Sequence, residues 1–147
     1  QGYQVRSARG LVEVKQRAWA QYNAFDNSAD FDVYVQRFTR FMQSPVYHPE
    51  QDVVVQTPDG QIGAFCLIWP DSLTGVGLFE PVGTHPDHQR KGLGKAVMLE
   101  ALERLQRLGM HQAIVTTGED NLPAIRLYES VGFRTLRRLL HYKQMIL

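Results

Sequence analysis

Apolar residues change their period several times along the chain, and each change marks an element. Tyr3-Gln4-Val5-Arg6 alternates apolar and polar, as a half-buried strand does. Between Gly10 and Tyr22, Leu11, Val14, Ala18 and Tyr22 recur at three- and four-residue steps, which predicts an amphipathic helix. A second helix is predicted over Asp30–Gln43, with Ser28 or Asp30 as its cap and Pro45 and Pro49 beyond its end. Its stripe of Phe31, Tyr34, Val35, Phe38, Phe41 and Met42 is unusually aromatic; stripes at this spacing usually pack in a core, with a substrate pocket the alternative. Asp52–Gln56 and Gln61–Trp69 are β-rich runs joined by Thr57-Pro58-Asp59-Gly60, a hairpin signature. Val76–Thr84 is another strand, but one Pro and two Gly do not suit a regular ladder and predict a bulge.

The second half is more regular. Lys95–Leu108 predicts a helix with Met98, Ala101, Leu102, Leu105 and Leu108 on one face and Gly109 as its stop. Gln112–Thr117 is a short strand. Asn121 is placed to cap a helix that has Pro123 in its first turn and Gly132 at its close. Phe133–Thr135 and Leu139–Tyr142 are predicted as terminal strands. The resulting order predicts an α/β fold whose mixed central sheet is flanked by helices, antiparallel at the hairpins and parallel across the 95–108 helix.

Composition narrows the class. At 147 residues and 44% hydrophobic, the chain fits a single domain spanning 1–147. A net charge of +1 gives no reason to expect a nucleic-acid partner. No apolar run approaches membrane-spanning length, so no membrane partner is expected, and the lone cysteine, Cys66, agrees with a reducing, cytoplasmic setting. Cys66 reads as inert core. His85, His88 and His111 sit at turns without metal-ligand spacing and are expected to face solvent, so no metal is expected. Arg134, Arg137 and Arg138 form a short basic cluster, a solvated face or a contact for an anionic partner.

The chemistry concentrates where the Val76–Thr84 strand leads through Gln89-Arg90-Lys91-Gly92-Leu93-Gly94 into a helix. A strand–glycine loop–helix junction presents unpaired N–H groups and the positive end of the helix dipole, which suits an anion such as pyrophosphate. Gly92 and Gly94 would let it approach the backbone, and Arg90, Lys91 and Lys95 add charge. A P-loop would need G-x-x-x-x-G-K-[ST], and a dinucleotide fingerprint a third small residue where Val97 stands. Gln89-x-x-Gly92-x-Gly94 instead resembles the Q/R-x-x-G-x-G/A loop of the GNAT superfamily of acyl-CoA-dependent N-acetyltransferases. A second segment, from Asn121 through Tyr128 to Gly132-Phe133, resembles that family's N-x-x-A-x-x-x-Y-x-x-x-G-F signature.

The resemblance implies an N-acetyltransferase that moves an acetyl group from acetyl-CoA, as co-substrate, to a primary amine by direct attack. It implies that Gln89, Arg90, Lys91, Gly92, Leu93, Gly94 and Lys95 hold the pyrophosphate, while Val82, Gly83 and Thr84 pair with the pantetheine arm like an added strand. A bulge near Pro81 would splay that strand from the Ala113 strand, and the Val82 N–H could serve as oxyanion donor. Tyr128 corresponds to the general acid and Asn121 to a contact on the arm; otherwise they would read as a packed phenol and a helix cap. Glu80, a carboxylate in an apolar strand, is a candidate base whose burial would raise its pKa, or else a substrate anchor or a structural carboxylate. Tyr22, Phe25, Asp26, Tyr34, Phe38 and Trp69 form a candidate aromatic, mildly acidic pocket for a small-molecule amine, with a peptide amine the other acceptor. A non-catalytic acyl-CoA-binding regulatory module is the alternative function. Similar proteins commonly pair into homodimers through terminal strands.

Overall fold

A computed structural model of the chain describes residues 2–140 and 142–145. Five strands, β1 (Gln4–Ser7), β2 (Asp52–Gln56), β3 (Ile62–Asp71), β4 (Val76–Thr84) and β5 (Gln112–Val115), form one sheet in the order β1-β2-β3-β4-β5. Neighbours are antiparallel except β4 and β5, which run parallel. Four helices accompany them: α1 (Val14–Ala24, entered through a 3-10 turn at Gly10–Glu13), α2 (Phe31–Met42), α3 (Leu93–Arg107) and α4 (Leu122–Ser130). The α3 crossover joins the two parallel strands, as their direction requires.

Both faces of β3 are covered, and its side chains alternate between them. Ala64, Cys66 and Ile68 pack with Val53, Val55 and the α3 residues Val97, Met98, Ala101 and Leu105. Phe65 and Leu67 turn the other way, toward α1 and α2. Asp30 caps α2 by accepting a hydrogen bond from the Val33 N–H at 3.0 Å, and the hairpin closes through Gly60 N–H donating to the Thr57 carbonyl at 3.0 Å. Cys66 is fully buried, and burial pushes its thiol upward, which makes it inert.

Two features depart from the sequence expectation. The periodicity of α1 gives no hint that its buried face carries a charge, yet Arg17 is fully buried beside a fully buried Asp52. Arg17 Nε donates to both Asp52 carboxylate oxygens at 3.0 Å, and the Tyr47 hydroxyl donates to Oδ2 at 3.0 Å. The guanidinium carbon lies 4.1 Å from the Phe65 ring centroid. Burial pushes the Asp52 carboxyl upward, and Arg17 and Tyr47 pull it back.

The expected terminal strands at Phe133–Thr135 and Leu139–Tyr142 are also not found: residues 133–140 and 142 carry no regular secondary structure, and His141 lies outside the described residues. Leu136 and Leu140 are exposed, so two short runs interrupted by Arg134, Arg137 and Arg138 bury too little apolar surface to hold a hairpin. Arg138 comes within 3.8 Å of Glu119, both well exposed.

Removing one partner of the buried pair strands the other charge. Asp52→Asn should therefore lower unfolding stability by about 3–5 kcal/mol, and the apolar pair Arg17→Met with Asp52→Leu should lose much less. Urea midpoints of the three proteins measure this, and an Asp52→Asn loss below about 1 kcal/mol would mean that Arg17 finds water.

Candidate active site

The irregularity expected in β4 falls at Pro81. Cys66 pairs with Val82 and Ile68 with Phe79, so Glu80 and Pro81 together face Leu67, two residues against one. On its other side β4 pairs with β5 only from Val76 to Phe79. Beyond Phe79 the β5 pairing stops, and the residues from Val82 to Thr84 are in register with β3 alone. A cleft of about 240 Å³ occupies this gap, lined among others by Phe25, Glu80, Val82, Thr116, Thr117, Asn121 and Tyr128. The structure thus brings Glu80, Val82, Asn121 and Tyr128 to one cavity.

Asn121 keeps its capping role: its side-chain oxygen accepts from the Ala124 N–H at 3.3 Å, which leaves its amide N–H groups for another partner. Tyr128 follows two turns later on the same face. Burial pushes its phenol above the ordinary tyrosine range, with the neighbouring Cys66 acting in the same direction.

At the end of β4 the chain turns through Pro86–His88 into exposed Gln89, Arg90, Lys91 and Gly92, and α3 begins. Gly92, at φ +77°, precedes the first helical residue and offers no side-chain cap, so the first N–H groups of α3 have no partner within the helix. Arg90 also takes a left-handed conformation, at φ +57°. Lys91 Nζ donates to the Asp87 carbonyl at 3.0 Å, while Lys95 is exposed on the first turn. Leu93 is buried in the core, so its backbone rather than its side chain belongs to the loop surface. Gly94 is needed for packing: a Cβ there would stand 3.1 Å from Leu127 and 3.2 Å from the Thr84 hydroxyl.

A larger cavity, about 560 Å³, lies on the other side of Glu80 and Pro81. Phe38, Phe41, Tyr34, Trp69, Leu67 and Leu78 give it an apolar wall, and Gln21, Asn27, Arg37 and Glu80 are its polar members. Leu78, Glu80 and Pro81 line both spaces. Of the expected aromatic stripe on α2, buried Phe38 and half-buried Tyr34 and Phe41 line this cavity, so the stripe serves core and cavity together.

The sequence model of the Acetyltransferase (GNAT) family matches residues 11–133. The chain belongs to the GNAT acetyltransferase family. A GNAT relative, the mycothiol acetyltransferase of Geodermatophilus obscurus, is 30% identical over 140 residues, covering 90% of this chain and 45% of that protein. The chain therefore spans about half the length of such relatives. Among solved structures, AAC(6')-Iy in complex with the bisubstrate analogue CoA-S-monomethyl-acetylneamine superposes with a TM-score of 0.75 at 14% identity, over 99% of this chain and 100% of that one. The ribosomal-protein-S18-alanine N-acetyltransferase of Escherichia coli superposes at 0.70 with 20% identity, over 92% and 79% of the two chains. These likenesses bear out the GNAT fold expected from the two motifs.

Within this GNAT chain several expectations need correcting. Glu80 is exposed rather than buried, so burial gives no support for it as a base. Of the expected acceptor pocket, Tyr34, Phe38 and Trp69 line the larger cavity and Phe25 the cleft, but Tyr22 and Asp26 line neither. Tyr22 is engaged with Trp19, Phe31 and Tyr34, and its hydroxyl donates to the Ala29 carbonyl at 2.7 Å. Nothing in the spacing of Gln21, Asn27 and Arg37 separates them in the sequence from a solvated surface. His85 and His88 pack inward against Trp19 and Tyr3 instead of facing solvent, and burial lowers the His85 pKa. Among the described residues, no helix is long and apolar enough to cross a membrane.

The two loop glycines should fail differently on substitution. Gly92→Ala meets open space but a strained φ, whereas Gly94→Ala presses on Leu127 and Thr84. Gly92→Ala should lower stability by about 1 kcal/mol, whereas at Gly94 the helix preference of alanine offsets the crowding and leaves a smaller change. Trimming Leu127 to alanine should relieve the Gly94 variant but not the Gly92 variant, as read from denaturant midpoints.

Proposed function

We propose that the chain is an acetyl-CoA-dependent N-acetyltransferase in which a bound primary amine attacks the thioester directly. The observation that carries this reading is the interruption of the β4–β5 ladder. It opens a cleft containing the Val82 backbone, Asn121 and Tyr128, beside an uncapped helix N-terminus and sharing a wall with a second cavity. The first N–H groups of α3, with Gln89 to Lys95 around them, hold the pyrophosphate. Val82, Gly83 and Thr84 offer backbone groups on the side β5 leaves open, where the pantetheine arm lies as an added strand. The Asn121 amide donates to that arm.

The amine enters from the larger cavity. Glu80, standing where the two spaces meet, takes the proton of the ammonium directly or through water, freeing the lone pair. As the C–N bond forms, the Val82 N–H donates to the developing oxyanion; one such donor contributes about 3 kcal/mol. As the C–S bond breaks, Tyr128 gives its proton to the departing thiolate. A phenol raised by burial is fully protonated at neutral pH, as an acid must be. The acceptor is a small-molecule or peptide amine, and the reduced, buried Cys66 fits a cytoplasmic setting.

Thiol release from acetyl-CoA with a panel of amines tests the activity; tight binding of coenzyme A with no turnover on any amine would favour a regulatory module instead. Tyr128→Phe should lower kcat by about 10²- to 10⁴-fold. Because the phenol is raised, activity dependent on its proton should persist through neutral pH and fall only above the ordinary tyrosine value of about 10. That alkaline limb should be missing from the residual rate of Tyr128→Phe; a limb that survives the substitution would assign the proton to another group.

A further inference from the structure

From α1, α2 and their connection the larger cavity takes the polar side chains of Gln21, Asn27, Tyr34 and Arg37. The Asn27 side-chain oxygen already accepts from the Ala29 N–H at 2.9 Å, and the Gln21 oxygen accepts from Arg17 Nη1 at 3.2 Å. Each amide still has N–H groups to offer. The Tyr34 hydroxyl, on the same cavity, can donate through its O–H. Arg37 has no acceptor to offer and enters none of the ion pairs among the described residues. Tyr34 and Arg37 are three residues apart on α2, so they stand side by side on one helix face.

A guanidinium outside every ion pair among the described residues, beside a phenol O–H and amide N–H groups, is complementary to an anionic acceptor group. Glu80, an acceptor suited to an ammonium, lines the same cavity and also the cleft, which none of those four residues lines. Much of the remaining lining is aromatic, from Phe38, Phe41 and Trp69. We infer that the acceptor is an amine carrying a carboxylate or a phosphate-type group across an apolar body, its acidic end held by Arg37, Tyr34 and Asn27. This rests on the cavity being the acceptor site and specifies the class of amine that the site takes.

The test compares benzylamine, 4-(aminomethyl)benzoate and 4-(aminomethyl)phenylphosphonate on the full chain. Binding is measured calorimetrically with coenzyme A present, and turnover by thiol release from acetyl-CoA. At least one acid should bind about tenfold tighter than benzylamine or more, and whichever acid gains more identifies the anionic group. Arg37→Gln should narrow that ratio toward one and Arg37→Lys should retain part of it. Circular dichroism checks each fold, and Tyr34→Phe supplies an independent narrowing. Equal binding of all three amines, or an acid preference that survives both Arg37→Gln and Tyr34→Phe, would overturn the inference. Acid preference in binding with no turnover on any amine would uphold it and overturn acetyl transfer; turnover without acid preference would do the reverse.

Discussion

One extra residue in β4 governs the site. In an unbroken sheet, neighbouring strands stand about 4.8 Å apart, which leaves no room for a ligand between them. Setting Glu80 and Pro81 against the single residue Leu67 ends the β5 pairing at Phe79, while Val82 onward keeps its register with β3. The backbone of β4 is thereby fixed on one side and free on the other. That combination suits a strand-like ligand: a rigid template with unsatisfied backbone groups. It also places Glu80 and Pro81 in the partition between cleft and larger cavity, so the same local insertion that opens one space forms the boundary of the next.

The other wall of the larger cavity depends on a different device. Arg17 joins α1 to β2 through Asp52, lies over Phe65, and holds Gln21 at the cavity's edge. Against an apolar replacement, a buried pair of this kind gives little net stability. Its contribution is positional: a planar guanidinium with several directed N–H groups fixes the rotation of α1 and the orientation of the Gln21 amide together. The core beneath α2 and the polar edge of the cavity are consequently one network.

Much of this was legible in the sequence because it has local causes. The bounds of β4, the Asp30 and Asn121 caps and the break at Pro81 follow from residue types whose backbone preferences act within a few positions. So did the loop at Gln89–Gly94 and the shared face of Asn121 and Tyr128. What escaped depends on residues brought together from far apart. Arg17 looks like a surface charge until Asp52 arrives from β2, and Arg37 like any exposed arginine until the fold sets it on the same cavity as Trp69 and Glu80. The inward packing of His85 depends in the same way on Trp19. The terminal segment shows the converse: Phe133–Thr135 and Leu139–Tyr142 have strand-like composition, but composition does not supply the burial that a hairpin needs.

A common rule connects the two halves of the site. Where Asn121, Asn27 and Gln21 secure local structure, each does so with its side-chain oxygen, leaving N–H groups toward open space. The start of α3 does the same with its backbone, since Gly92 supplies no capping oxygen. Each of these groups therefore keeps N–H groups for a ligand, and a surface that offers donors favours ligands rich in acceptors. Glu80 is the exception, an exposed carboxylate at the junction of the two spaces, and there the proposed reaction calls for a group that attracts a cation and removes its proton. Donors along the cleft and in the larger cavity suit the proposed acyl carrier on one side and the proposed acidic amine on the other, with Glu80 lining both spaces between them.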